Sequence, residues 1–109
     1  MERIYNKLVR DNIPSIIEGK GETPITRILN EEEYKKELEK KLYEEYNEVL
    51  EASGEDRVEE LADMIEVIKY LAKLEGKKLE DVIKTADEKS IKRGAFNDRI
   101  FLEKVIEDK

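Results

Sequence analysis

EEYNEVLEASGEDRVEELAD, residues Glu44 to Asp63, is the stretch that decides the fold. It reads as the end of one helix, a break at Ser53-Gly54 and the start of another, and a link this short returns the second helix antiparallel to the first. Residues three apart on a helix are neighbours, so Glu45-x-x-Glu48 and Glu60-x-x-Asp63 each present two carboxylates to one object. The antiparallel return brings the two pairs together. Four carboxylates from adjacent helices suit a hard cation.

Placement matters more than number, because 28 Asp and Glu in 109 residues produce such spacings by accident. At about 100° per residue, Tyr34, Leu38, Leu42 and Val49 form one apolar stripe, with Glu45 inside it and Glu48 at its edge. On the next helix Leu61, Met64, Ile65, Val67, Ile68, Leu71, Ala72 and Leu74 make a wide apolar arc; Glu60 lies within it and Asp63 borders it. An ionised carboxylate on a core face is normally paired or bound to metal, because an unpartnered one costs several kcal/mol or shifts its pKa.

Working outward, Asn30 is an N-cap, with Glu31, Glu32 and Glu33 beside the positive end of a helix that runs to Glu51 or Ala52. The second helix spans about Asp56 to Leu74, with Gly76 as its C′ residue. A third starts near Leu79 and ends at Arg93 before Gly94. Its seam of Leu79, Val82, Ala86, Lys89 and Arg93 keeps two cations on the side expected to face inward. Cations in a last turn also simply favour the helix dipole, so both readings stand. Toward the N-terminus, Asp11 or Asn12 can cap a short helix with Pro14 in its first turn, ended by Gly19-Lys20-Gly21. Ile25 to Leu29 reads as extended, and the tail has a turn-like Asn97-Asp98 before an apolar run. The sequence thus predicts an all-α protein, an antiparallel helical bundle in a single domain over 1–109. A short extended pair near 25–29 and 99–105 is a further possibility, as is a tail that covers the bundle.

The chain carries a net charge of −7 with 45% charged residues of both signs. That excludes the clustered basic surface of a nucleic-acid polymer or anionic-membrane binder. An acidic protein can still take a polyphosphate through intervening metal ions. Nothing reads as an export signal or a membrane span, and with no Cys the default compartment is cytoplasmic. Zero His and Cys also remove the usual zinc ligands and the Ser-His and Cys-His nucleophile pairs. What remains is carboxylate, Lys, Arg, Tyr and water. The absence of Gln beside abundant Lys and Glu is a composition associated with heat-stable proteins. A chain this small, with an arc wider than one helix covers, is expected to be at least a dimer.

Taken together, Glu45-x-x-Glu48, Glu60-x-x-Asp63 and Lys89-x-x-x-Arg93-Gly94-x-Phe96 resemble the all-α nucleoside triphosphate pyrophosphohydrolase superfamily, which includes MazG proteins, dimeric dUTPases and phosphoribosyl-ATP pyrophosphohydrolases. The opening Lys7-Leu8-Val9-Arg10-Asp11-x-Ile13-Pro14 is similar to a compact MazG-like branch of house-cleaning enzymes. The link between the acidic helices is shorter than in many relatives. The resemblance covers nearly the whole chain. It implies a MazG-like bundle assembled as a homodimer or tetramer, and Mg²⁺-dependent hydrolysis of a nucleoside triphosphate to monophosphate and pyrophosphate.

On that footing Glu45, Glu48, Glu60 and Asp63 are the candidate metal ligands for Mg²⁺, with Mn²⁺ as a substitute. Glu45, at the centre of its stripe, is the first candidate for activating a water that attacks the α-phosphorus, with Glu48 beside it. Glu44 is an alternative in a more exposed direction. Lys89 and Arg93 are candidates for phosphate contacts, supplemented by Lys7 and Arg10, whose other reading is surface ion pairing. Asp11 reads as a helix cap rather than a ligand, and Phe96 as packing or a base-stacking ring. The competing readings are phosphoribosyl-ATP hydrolysis and a non-catalytic helical adaptor whose acids form salt-bridge networks. A cation buffer is disfavoured, since its ligands would sit in a loop.

Overall fold

A computed structural model describes residues 1–107. Four helices follow in order: α1 (Ile13–Gly19), α2 (Glu31–Glu51), α3 (Gly54–Leu74) and α4 (Leu79–Arg93). Among the described residues there is no strand.

The centre is the antiparallel hairpin of α2 and α3. Asn30 opens α2 with a reciprocal cap: its side chain accepts from the Glu33 N–H at 2.9 Å, and Glu33 Oε1 accepts from the Asn30 N–H at 3.3 Å. Arg27 closes on the same Glu33 carboxylate with both guanidinium nitrogens, at 3.2 and 2.8 Å. At the far end α2 stops at Glu51, and α3 begins two residues earlier than the sequence suggests. Gly54 makes this possible: its φ of 58° is left-handed backbone that a residue with a Cβ rarely adopts. Ser53 makes no side-chain cap. Instead Arg57 Nε donates to the carbonyl oxygens of Val49 at 3.0 Å and Ala52 at 3.1 Å. One α3 side chain thus satisfies carbonyls that the end of α2 leaves open.

The core is thin. Leu38 on α2 and Val67 and Ala72 on α3 are buried. Tyr34, Leu42, Val49, Met64, Ile68 and Leu71 are half-buried around them, as the apolar stripes require. The α3 arc is wider than α2 can cover, so Leu61, Ile65 and Leu74 remain exposed.

Gly76, at φ 73°, ends α3 as expected of a C′ glycine, and Asp81 Oδ2 accepts from the Lys78 N–H at 2.8 Å to start α4. α4 has the expected limits, and Gly94 follows at φ 85°. The expected inward face of α4 is corrected, however. α4 packs on α3 and not on α2, and its seam is open: Leu79 is half-buried, while Val82, Ala86, Lys89 and Arg93 are exposed.

The ends of the chain depart further. Asn12 takes the cap position of α1 without a side-chain bond, and Pro14 lies in its first turn. The extended pair expected near 25–29 and 99–105 does not form. Ile25, Ile28, Ile100, Phe101 and Leu102 are all exposed, and the tail does not cover the bundle either. Asn97-Asp98 does turn, closed by the Arg99 N–H on the Phe96 carbonyl at 3.3 Å. The chain's radius of gyration is 19.2 Å. A compact domain of this length would have about 13 Å. A strand pair needs a covered face, and a single copy has none to offer at either end.

Candidate metal centre

The hairpin fixes the height of each acid. Glu45 lies six residues before the end of α2 at Glu51, and Glu60 six after the start of α3 at Gly54. At 1.5 Å rise per residue, both stand about 9 Å from the bend, level with one another. Glu48 stands about one turn nearer the bend and Asp63 about one turn farther away. Matched legs on a tight link are therefore what make the two pairs meet.

Glu45, Glu60 and Asp63 each direct a carboxylate oxygen into one spot, all three within 4.8 Å of one another. Glu45 is 7% exposed, and its Oε2 has no hydrogen-bond partner. Glu60 Oε2 is likewise buried and unpartnered. The fourth predicted acid, Glu48, is exposed and lies outside this triad. It nevertheless acts on the carboxyls of both Glu45 and Glu60 as a neighbour. Glu44 is half-buried on the same helix.

The electrostatics follow from this crowding. Burial first, then the neighbouring Glu48 carboxylate and the charge of Asp63, push Glu45 from 4.5 up to about 7, against an opposing pull from Lys41. Glu60 is raised chiefly by Glu48, then by burial and by the charges of Glu48, Asp63 and Glu59. Like charges gathered in a poorly solvated spot disfavour ionisation.

The predicted cations divide. Arg10 comes to the cluster: its Nη2 donates to Asp63 Oδ1 at 2.8 Å, and its Nη1 lies 3.8 Å from Glu66 Oε2. Lys7, Lys89 and Arg93 are exposed and make no ion pair among the described residues. Sequence reasoning missed Glu66, the second partner of Arg10, and Lys41, whose charge acts on Glu45. The signal for both was helical spacing, since Glu66 follows Asp63 by three and Lys41 precedes Glu45 by four.

No protein-family profile matches the chain, and no solved structure does. A stretch of 50 residues is 44% identical to an uncharacterized protein of Mycolicibacterium smegmatis, covering 46% of this chain and 51% of that one. The chain thus spans about half the length of the curated relative it matches. No helix among the described residues is long and apolar enough to cross a membrane.

Proposed function

We propose that this chain is a MazG-like, Mg²⁺-dependent hydrolase that splits a nucleoside triphosphate into its monophosphate and pyrophosphate, removing noncanonical or excess nucleotides. The observation that carries the reading is the pair of buried, unpartnered oxygens, Glu45 Oε2 and Glu60 Oε2, converging with Asp63. Such oxygens need a proton or a cation, and one divalent ion satisfies several at once. An all-oxygen donor set fits Mg²⁺, with Mn²⁺ as a substitute. Glu45, Glu48, Glu60 and Asp63 would hold it. When bound, the ion would neutralise phosphate charge and lower the pKa of a nearby water.

The chain's own residues supply the rest. Glu45, the most buried acid of the cluster, is placed to take a proton from the attacking water. Glu48, at its side and open to solvent, can pass that proton on. The water oxygen bonds to the α-phosphorus, and the bond from that phosphorus to the bridging oxygen breaks, releasing pyrophosphate. Lys89 and Arg93, with Lys7 and Arg10, are the cations available to the phosphates. The bare seam of α4 and the uncovered arc of α3 favour assembly with further copies as a homodimer or tetramer, which would bury apolar surface that one chain leaves in water.

Product analysis tests the reading. The protein is incubated with Mg²⁺ and a panel of canonical and modified nucleoside triphosphates plus phosphoribosyl-ATP, and the products are separated by ion exchange. Monophosphate and pyrophosphate from wild type, and none from Glu45→Ala/Glu60→Ala, are expected. Absence of turnover with Mg²⁺ and Mn²⁺, together with no metal binding by calorimetry, would sink the reading and leave a helical adaptor.

A further inference from the structure

The contact between Arg10 and Asp63 has no place in that reading, which gives Arg10 only to phosphate. We propose that Arg10 is a positioning residue for the cation site: by gripping Asp63 Oδ1 it sets the orientation in which the Asp63 carboxylate faces the cluster. The inference rests on the acidic cluster being a cation site, for which Glu45, buried with an unpartnered oxygen, is the independent sign.

Three observations support it. The guanidinium straddles two acids one turn apart on α3, with Nη2 on Asp63 Oδ1 at 2.8 Å and Nη1 3.8 Å from Glu66 Oε2. The 2.8 Å charge-assisted hydrogen bond orients the carboxylate it grips, and the looser approach to Glu66 draws the guanidinium to the same face of α3. The contact also joins residues 53 apart in sequence, whereas Arg3–Glu22, Arg27–Glu33 and Lys36–Glu32 are far more local. It ties the N-terminal segment directly to a proposed ligand.

The third observation concerns Asp63 itself, half-exposed at the border of the cluster. An untethered side chain at that border is free to turn out into water, and the Arg10 contact holds it in place. An ion pair this exposed adds little to stability, so its effect falls on orientation rather than on holding the fold together. Partners that orient ligating carboxylates are typically worth about 10–100-fold in metal affinity.

The test is titration of the full chain with Mn²⁺ by calorimetry, for wild type, Arg10→Ala, Arg10→Lys and Arg3→Ala. Arg10→Ala should weaken Mn²⁺ roughly tenfold or more, Arg10→Lys should recover part of the loss, and Arg3→Ala, which breaks a different N-terminal ion pair, should match wild type. Thermal melts without metal should be nearly the same for all four. Wild-type or tighter affinity in Arg10→Ala would overturn the assignment and make the guanidinium a competitor of the cation. Should Arg10→Ala fail to fold, Arg10→Lys decides: a several-fold loss supports the assignment and unchanged affinity overturns it. If wild type itself binds no Mn²⁺, the cation-site reading falls and takes this one with it; wild-type binding that Arg10→Ala and Arg10→Lys leave unaltered sinks this one alone.

Discussion

Arg57 Nε lies 3.0 Å from the Val49 carbonyl oxygen, so the first turn of α3 is bonded to the last turn of α2. The same N–H reaches the Ala52 carbonyl at 3.1 Å. A charged donor on two helix-end carbonyls is worth about 1.5–3 kcal/mol. Arg57→Ala should lower unfolding free energy by about 1–2 kcal/mol in urea melts, allowing for water replacing the donor. Arg57→Lys should recover less than half of that, because an ammonium cannot place its donor as a planar guanidinium does.

The raised carboxyls make the metal-free protein sensitive to pH in an unusual direction. A carboxyl raised on folding binds more protons in the native than in the unfolded state, so its contribution falls as pH rises. For Glu45 that fall runs from about 4.5 to about 7, and Glu60 adds in the same sense. Glu45→Gln should therefore stabilise the metal-free protein relative to wild type at pH 8, and much less at pH 4. Melts of the two proteins in chelator at both pH values give the comparison, and equal differences at the two ends would refute it.

A cation and protons compete for the same oxygens. Mg²⁺ or Mn²⁺ should raise the melting temperature at pH 7.5, and a concentration about 100 times the dissociation constant should add about 2.7 kcal/mol. The gain should shrink as pH drops toward 5, and binding should release protons, seen as a heat that depends on the buffer's ionisation enthalpy. A chelator should reverse it. No such dependence is expected in Glu45→Ala/Glu60→Ala.

Lys89 and Arg93 are exposed and, among the described residues, make no ion pair with the acidic cluster, so their removal should separate phosphate recognition from metal binding. Arg93→Ala should raise KM for the nucleotide roughly tenfold, the value of about one charged hydrogen bond, with Mn²⁺ affinity unchanged. Steady-state kinetics beside calorimetry decides, and a parallel loss of metal affinity would count against the assignment.

Ile65 is half-exposed on α3, in the part of the arc that α2 does not reach. Ile65→Asp should shift a dimer or tetramer toward monomer in analytical ultracentrifugation and lower the melting temperature in step with dilution. A wild-type protein that sediments as a monomer at all concentrations would refute the expected assembly.

The hairpin and its acids were legible in the sequence because helical periodicity, Asn30, Gly54 and Gly76 all point the same way. Glu45 in its stripe and Glu60 in its arc were readable for the same reason. The partners of those acids were less so. For Arg10 the sequence leaves phosphate contact and ion pairing open and cannot name Asp63 as the partner, since spacing along a chain does not report a contact across 53 residues. Arg57 is not legible in the sequence, because a side chain capping a carbonyl across a link leaves no periodic trace. The extended segments near 25–29 and 99–105 were misjudged for a different reason: β-branched and aromatic residues mark an apolar surface, and whether it becomes a strand depends on a neighbour the chain alone does not provide.

The level legs of the hairpin have a bearing on how the protein comes to be folded. Glu45, Glu60 and Asp63 belong to one short run of chain closed by a link of two residues, Ala52 and Ser53, so bringing them together needs only local loop closure. Contacts of that kind cost less chain entropy to close than those joining distant parts of a chain. The hairpin, with its crowd of carboxylates, would thus arise while Arg10 is still unattached, and docking of the N-terminal segment would be a late step that finishes a site already outlined.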